Sequence, residues 1–266
     1  MPFSIIGFFL ALETNSIDIL LLVKVTLCMI FARSSAMAFN RYIDRYIDKK
    51  NNRTSEVREI PKGTIKAKNA LIFVWINSIF FILTTYFINK ICFYLSPIAL
   101  IIILGYSYTK RYTSLCHLIL GLGLSLAPLG SYLAVSGEFN PLALIISFAV
   151  LFWVSGFDII YSLQDEEFDK TEKLNSIPVL FGRKKSLYIS VIFHCICVIF
   201  LLAFGFYGKF KSLYWIGLLC FTTLLFYQHK LIKPNDLSKI NLAFFTTNGI
   251  ASIIFGIFFV LEILLS

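Results

Sequence analysis

Apolar runs dominate this chain, most of them near 20 residues long. At about 1.5 Å per residue that length carries an α-helix across about 30 Å of hydrocarbon. Nine segments can be marked: 2–12, 17–39, 69–89, 91–108, 114–135, 141–163, 186–207, 212–229 and 239–265. Only 15% of the 266 residues are charged and 58% are hydrophobic, where a soluble domain has roughly 25% charged. Lipid offers the backbone no hydrogen bonds, so only helices or closed barrels can span it. The alternating ten-residue strands of a barrel are absent. The expected fold is therefore all-α: one polytopic membrane domain over 1–266, with about nine transmembrane helices. Segment one is too short to span as written. Its Met1-Pro2 opening has neither a basic region nor a small-residue cleavage site, so it does not read as a signal peptide.

Charge predicts the orientation. The connections after segments two, four, six and eight hold nine, two, five and three Lys or Arg, counting Lys239 with the last. The opposite connections hold only Lys90, Lys209 and Lys211, while Lys24 and Arg33 lie within segment two. The positive-inside rule puts the rich side, and with it the N-terminus, in the cytoplasm. The net charge of +9 then reads as topology, with anionic lipid as a further partner. Nucleic-acid binding is not expected, because no soluble basic domain exists to hold a duplex. All six Cys fall within apolar segments and read as small core residues. His194 reads as structural and His229 as interfacial, while His117, just beyond the basic pair 110–111, stays open between core and site.

Two long connections on the basic side carry acids at helical spacing. Asn40, Asp44 and Asp48 stand at i, i+4 and i+8, and Asp158, Tyr161, Asp165 and Asp169 at i, i+3, i+7 and i+11. Each set lies along one helix face. Glu166 and Glu167 point away from theirs and are expected to be solvated. The pair Asp44/Asp48 recurs as Asp165/Asp169 at an offset of 121 residues, and each is followed by Ile-Pro. This weak internal repeat predicts that the two faces converge. One such cluster alone would pass for a solvated helix end; two with matched spacing on one side read as a site, since carboxylates at membrane depth are costly. Oxygen-only ligands favour a hard cation such as Mg²⁺, which keeps waters and bridges carboxylates to phosphate oxygens. Arg53, Arg58, Lys62, Lys110 and Arg111 supply nearby positive charge for a diphosphate.

At these residues the sequence resembles the UbiA superfamily of intramembrane prenyltransferases. The first family motif appears as Asn40, Asp44, Asp48, Arg53-Thr54, Pro61 and Gly63, and the second is complete as Asp158, Tyr161, Asp165 and Asp169. Between them "GYSYTKRYT" matches a third segment, with Ser107 where Pro is common. The stretches "ARSSAMAFNRYIDRYID", "LGLSLAPLGSYLAVSG" and "NSIPVLFG" look most like the 4-hydroxybenzoate polyprenyltransferase branch, which includes futalosine-route menaquinone relatives. Many superfamily members have Asp where Arg41 stands.

The resemblance implies nine helices around a central cavity open to lipid, capped by the 2–3 and 6–7 loops, in a bacterial inner membrane with the site facing the cytoplasm. It also implies residues upstream of Met1. The implied reaction is Mg²⁺-dependent transfer of a polyprenyl group from its diphosphate to a small hydroxylated aromatic acid, for ubiquinone or menaquinone. In that reading Asn40, Asp44 and Asp48 hold one Mg²⁺-diphosphate and Asp165 and Asp169 the other. Lys110 and Arg53 contact phosphate. Asp158 orients the acceptor hydroxyl or takes a proton, and Tyr161 positions the prenyl group. Arg33, about two turns into the membrane before Asn40, meets either the aromatic carboxylate or an acid such as Asp158, and Arg111 is a second candidate for that carboxylate. The stretch 176–182 reads as a capping loop. Other acceptors of the same chemistry (dihydroxynaphthoate, haem, a glycerol phosphate lipid) stay open. A secondary transporter fits less well, since its sites sit near the midplane on broken helices. No obligate protein partner is evident.

Overall fold

The computed structural model describes residues 1–12 and 17–265. Each apolar segment carries a helix: α1 (Pro2–Leu10), α2 (Ile19–Ile43), α5 (Ala67–Tyr86), α6 (Lys90–Thr109), α7 (Cys116–Ser136), α8 (Pro141–Ser162), α10 (Ile177–Gly208), α11 (Ser212–Leu231) and α12 (Asn248–Leu265). The short helices α3 (Arg45–Lys50) and α4 (Asn52–Ser55) lie between α2 and α5, and α9 (Glu166–Thr171) lies between α8 and α10. Among the described residues seven stretches are long and apolar enough to cross a membrane: α2, α5, α6, α7, α8 continued to Thr171, α10, and Leu242–Leu265. Nine-residue α1 is too short, and α11 is long enough but less apolar.

The sequence marks where several helices start. Asp18 caps α2 by accepting the Leu21 N–H at 3.0 Å, Asn89 caps α6 through Cys92, and Asn140 caps α8 through Leu142, with Pro141 preset as its first residue. Such caps satisfy amides that would otherwise be orphaned at a helix end.

Neighbours in sequence are mostly neighbours in space. The helices α2, α5 and α6 pack together and join α7, which packs on α8; α8 packs on α10, and α11 on α12. Helix α1 closes the second half by lying against both α7 and α12. It comes so close to α7 that a Cβ at Gly7 would stand 2.1 Å from the Pro128 carbonyl oxygen. One turn away, the Ser4 and Ser131 hydroxyls bond at 2.6 Å. Beneath lies an aromatic core of Phe3, Phe8, Trp153, Phe204, Tyr214, Phe221, Phe255 and Phe259. The one acid in the last span, Glu262, is buried and accepts the backbone N–H groups of Lys211 and Tyr214, capping α11.

His229, in the last turn of α11, sets its Nε2 2.8 Å from His194 Nδ1, because α10 and α11 face each other there. Two expectations change. Cys195 is exposed on α10, so not every Cys fills the core. The stretch 176–182 is not a loop. Ser176 caps a helical turn by accepting the Val179 N–H, and Gly182, at φ 73°, breaks the helix before it resumes.

Candidate active site

The two acidic motifs meet at one end of the bundle. Helix α2 stops at Ile43, yet the i→i−4 bonds run on from Asp44 N to Asn40 O (2.9 Å) and from Asp48 N to Asp44 O (2.8 Å). Asn40, Asp44 and Asp48 therefore stay in register although the helix is interrupted. On the other side α8 passes through a 3₁₀ turn, Leu163–Asp165, into α9, which carries Asp169. The α2–α5 and α8–α10 connections form a cap in which Lys50 reaches Glu172 at 2.6 Å.

Each of the four paired acids has its own cation. Arg53 holds Asp165 with two bonds, Nε to Oδ1 at 3.0 Å and Nη2 to Oδ2 at 2.6 Å, and donates from Nη1 to the Tyr161 hydroxyl at 3.2 Å. Arg58 is paired with Asp48. Lys110 Nζ lies 2.7 Å from Asp169 Oδ2, and Arg111 Nη2 lies 2.9 Å from Asp44 Oδ1. The pairings cross between motifs, because Arg53 follows the first motif but holds the second, and Lys110 and Arg111 divide between them. These residues enclose a polar cavity of about 70 Å³ that Asn51 and Thr54 also line. Burial raises the Asp44 carboxyl above its ordinary range, although Arg111 pulls it down.

Asn40 Nδ2 donates to Asp44 Oδ2 at 2.9 Å, fixing that carboxylate from within its own motif. Asp158 lies apart from the four cation-held acids and pairs with His117, whose Nδ1 is 2.7 Å from Asp158 Oδ2. Tyr161 stacks on Phe244 at 4.1 Å between ring centres, where a π-helical turn, Leu242–Thr247, precedes α12.

Arg33 does not take up a salt bridge to Asp158. It is exposed on α2 and has no ion pair among the described residues, and Asp158 pairs with His117 instead. Glu166 is not solvated: it is buried and held by Lys170 at 2.6 Å and Arg183 at 2.9 Å. Its neighbour Glu167 is exposed, as expected. Two contributors escaped the sequence reading. Asn51 donates to Asp165 Oδ1 at 3.0 Å, and Phe244 backs Tyr161. The Asn51-Asn52 step before Arg53 was the only hint of the former, and nothing in the pattern pointed to the latter.

The donors fit a hard cation. They are carboxylate and amide oxygens, and Asp169 Oδ1 is buried without a hydrogen-bond partner, a costly state that a metal would relieve. Among the described residues, however, no three His, Cys, Asp or Glu side chains already stand grouped to hold a metal. Each of the four paired acids is held by a Lys or Arg.

The model of the UbiA prenyltransferase family matches residues 1–250. The chain belongs to this family. A 4-hydroxybenzoate octaprenyltransferase of Aliivibrio salmonicida is 30% identical over 236 residues, covering 88% of this chain and 81% of that one. Its counterpart from Vesicomyosocius okutanii is 29% identical over 238 residues, 90% of this chain and 86% of that protein. Among solved structures, the apo form of a UbiA homolog from Aeropyrum pernix K1 superposes with a TM-score of 0.88 at 26% identity, covering 97% of this chain and 94% of the other. A UbiA homolog from Archaeoglobus fulgidus, bound to GPP and Mg²⁺, shares the fold with a TM-score of 0.73 at 21% identity, covering 100% and 94%. Membership makes this chain a prenyltransferase integral to a membrane.

Proposed function

We propose that this UbiA-family enzyme transfers a polyprenyl group from polyprenyl diphosphate to a hydroxylated aromatic acid of the 4-hydroxybenzoate type, in quinone biosynthesis. The observation that carries this reading is the crossed set of four acid–cation pairs around one polar cavity. The names of the similar octaprenyltransferases support the acceptor class. The basic loops support a site facing the cytoplasm of a bacterial inner membrane.

Asn40, Asp44 and Asp48 would hold one Mg²⁺, and Asp165 and Asp169 another; the Mg²⁺ bound by the similar Archaeoglobus fulgidus protein supports the choice of ion. When bound, the ions supply positive charge to the leaving diphosphate. Arg53, Arg58 and Lys110 would be the side chains that bind phosphate oxygens, since each already lines the cavity beside its carboxylate. Arg111 stays near Asp44, tied also to the Ile43 and Ser107 carbonyls, and Arg33 is free to meet the aromatic carboxylate. Tyr161, held between Arg53 and Phe244, presents its ring to the allylic end of the prenyl chain. The allylic C–O bond breaks with its electron pair leaving on diphosphate. The ring carbon ortho to the phenol oxygen forms the new C–C bond, and the ring proton passes to a carboxylate, for which Asp158 is the candidate. The cap of the two loops excludes water from the cation.

The test uses the full chain in lipid nanodiscs with labelled prenyl diphosphate, Mg²⁺ and a panel of aromatic acids. A prenylated acid is expected, lost in Asp44→Ala and Asp165→Ala. No product with any acid, or undiminished product from either variant, overturns the reading.

A further inference from the structure

Five aspartates line the two motifs, and four of them face a cation. Asp158 alone faces a histidine, and its Oδ1 has no hydrogen-bond partner among the described residues. About a fifth of its side-chain surface stays open, while His117 is 3% exposed. The imidazole is pinned from both sides. Its Nε2 accepts the Ile177 backbone N–H at 3.3 Å, which requires a lone pair there and leaves the ring proton on Nδ1. That proton is donated to Asp158 Oδ2. In this arrangement His117 is the donor to Asp158, and no Lys or Arg pairs with that acid among the described residues.

The fold holds the pair stiffly. Helices α7 and α8 cross so closely that a Cβ at Gly121 would lie 2.4 Å from Ser155 Oγ. That hydroxyl donates to the His117 carbonyl at 3.1 Å. Asn175, just before the Ser176 cap, donates its N–H to the Lys110 carbonyl at 2.8 Å and its side-chain amide to the Arg111 carbonyl at 3.2 Å. One connection, 110–117, thus begins at the cations of the diphosphate cavity and ends at the histidine behind Asp158. Asp158 stands seven residues before Asp165, which lines that cavity, on the helix that runs into the Leu163–Asp165 turn.

We propose that His117 is a positioning residue for the acceptor. It fixes the Asp158 carboxylate so that Oδ1 accepts a hydrogen bond from the hydroxyl of the aromatic acid beside the diphosphate cavity. A cation-paired acid would be a poorer choice for this task, because it would be largely satisfied before a neutral hydroxyl arrived. The arrangement resembles the orienting of one catalytic group by another, with the acid as the oriented member. The inference rests on the prenyl transfer proposed above.

The experiment compares the unaltered chain with His117→Phe, His117→Asn and Asp158→Asn in nanodiscs, titrating 4-hydroxybenzoate and prenyl diphosphate separately. Phe keeps the volume and removes both bonds, while Asn can restore the donor to Asp158 but not the acceptor for Ile177. His117→Phe is expected to raise the KM for the aromatic acid about tenfold, the scale of a lost bond to a charged group. The KM for prenyl diphosphate should stay within about twofold. His117→Asn should recover most of the loss, and adding His117→Phe to Asp158→Asn should cost nothing further. An unchanged aromatic KM in His117→Phe, no recovery in His117→Asn, or additive losses in the double variant overturn the assignment. Should His117→Phe not fold, His117→Leu, which also removes both bonds, takes its place in the same cycle. No product from the unaltered chain with any acid overturns the proposed function and this inference together.

Discussion

Arg53 and Asp165, 112 residues apart in sequence, meet through two parallel hydrogen bonds of 3.0 and 2.6 Å. This fork joins the cap of one half of the bundle to the acidic helix end of the other. Planar guanidinium groups suit carboxylates and phosphates alike, so the residue that braces the cavity is also suited to hold a diphosphate within it.

Arg53→Lys is consequently not a mild change. A lysine can keep the charge but not the fork or the bond to Tyr161. Prenyl transfer should fall at least tenfold in Arg53→Lys and about a hundredfold in Arg53→Ala, with the larger share in the KM for prenyl diphosphate. Initial-rate measurements at saturating aromatic acid check this; a lysine variant within twofold of the parent would contradict it.

Lys110→Met leaves Asp169, 1% exposed, without its cation. Breaking a buried pair on one side costs about 3–5 kcal/mol. The metal-free variant should melt well below the parent, and Mg²⁺ with a prenyl diphosphate analogue should close most of the gap. Thermal unfolding with and without these ligands measures it. Equal melting temperatures without ligand would show that the pair contributes nothing.

Asp44 makes the opposite case. Burial costs its ionised form more than Arg111 returns, so its carboxyl sits above the ordinary range. In the window between the unfolded and the raised folded value, the folded protein binds more protons than the unfolded one. Stability then rises as pH falls through that window. Asp44→Asn should therefore leave the metal-free protein at least as stable at neutral pH, while transfer drops about a hundredfold, a stability–activity trade-off. A variant that both unfolds more readily and keeps its activity would refute this.

Chelation should stop turnover. Excess EDTA is expected to abolish transfer and added Mg²⁺ to restore it, with Ca²⁺ a poorer replacement because of its larger, looser coordination shell. Transfer that survives EDTA would remove the ion from the mechanism.

Gly7→Ala tests the bundle away from the chemistry. The new Cβ would press on the Pro128 carbonyl, and overpacking of this kind costs about 1–3 kcal/mol. A lower melting temperature with unchanged KM values is the expected outcome.

Much of this was legible in the sequence. Hydropathy placed a helix in every apolar segment, and four-residue spacing gathered Asp44 with Asp48 and Asp165 with Asp169 along their own helices. Periodicity reports which residues share a helix face, and nothing about the distance to the next helix. It therefore missed which cation each acid takes, left Arg33 open between a substrate carboxylate and an acid it does not pair with, and set Glu166 in solvent although Lys170 and Arg183 cover it. His117 stayed undecided for the same reason, since its two partners, Asp158 and Ile177, are 41 and 60 residues away. The helical turn at Ser176 was overlooked because one turn is too short to show a period.

Surface connections usually tolerate added residues. The turn after α6 is an exception with a simple cause. Lys110 and Arg111 are consecutive, yet one reaches Asp169 and the other Asp44. One residue gained or lost ahead of them would send each side chain to the wrong side, breaking both attachments at once. Relatives that keep this chemistry should differ freely in the identity of Tyr112 and Ser114, and scarcely at all in the length of chain between α6 and that basic pair.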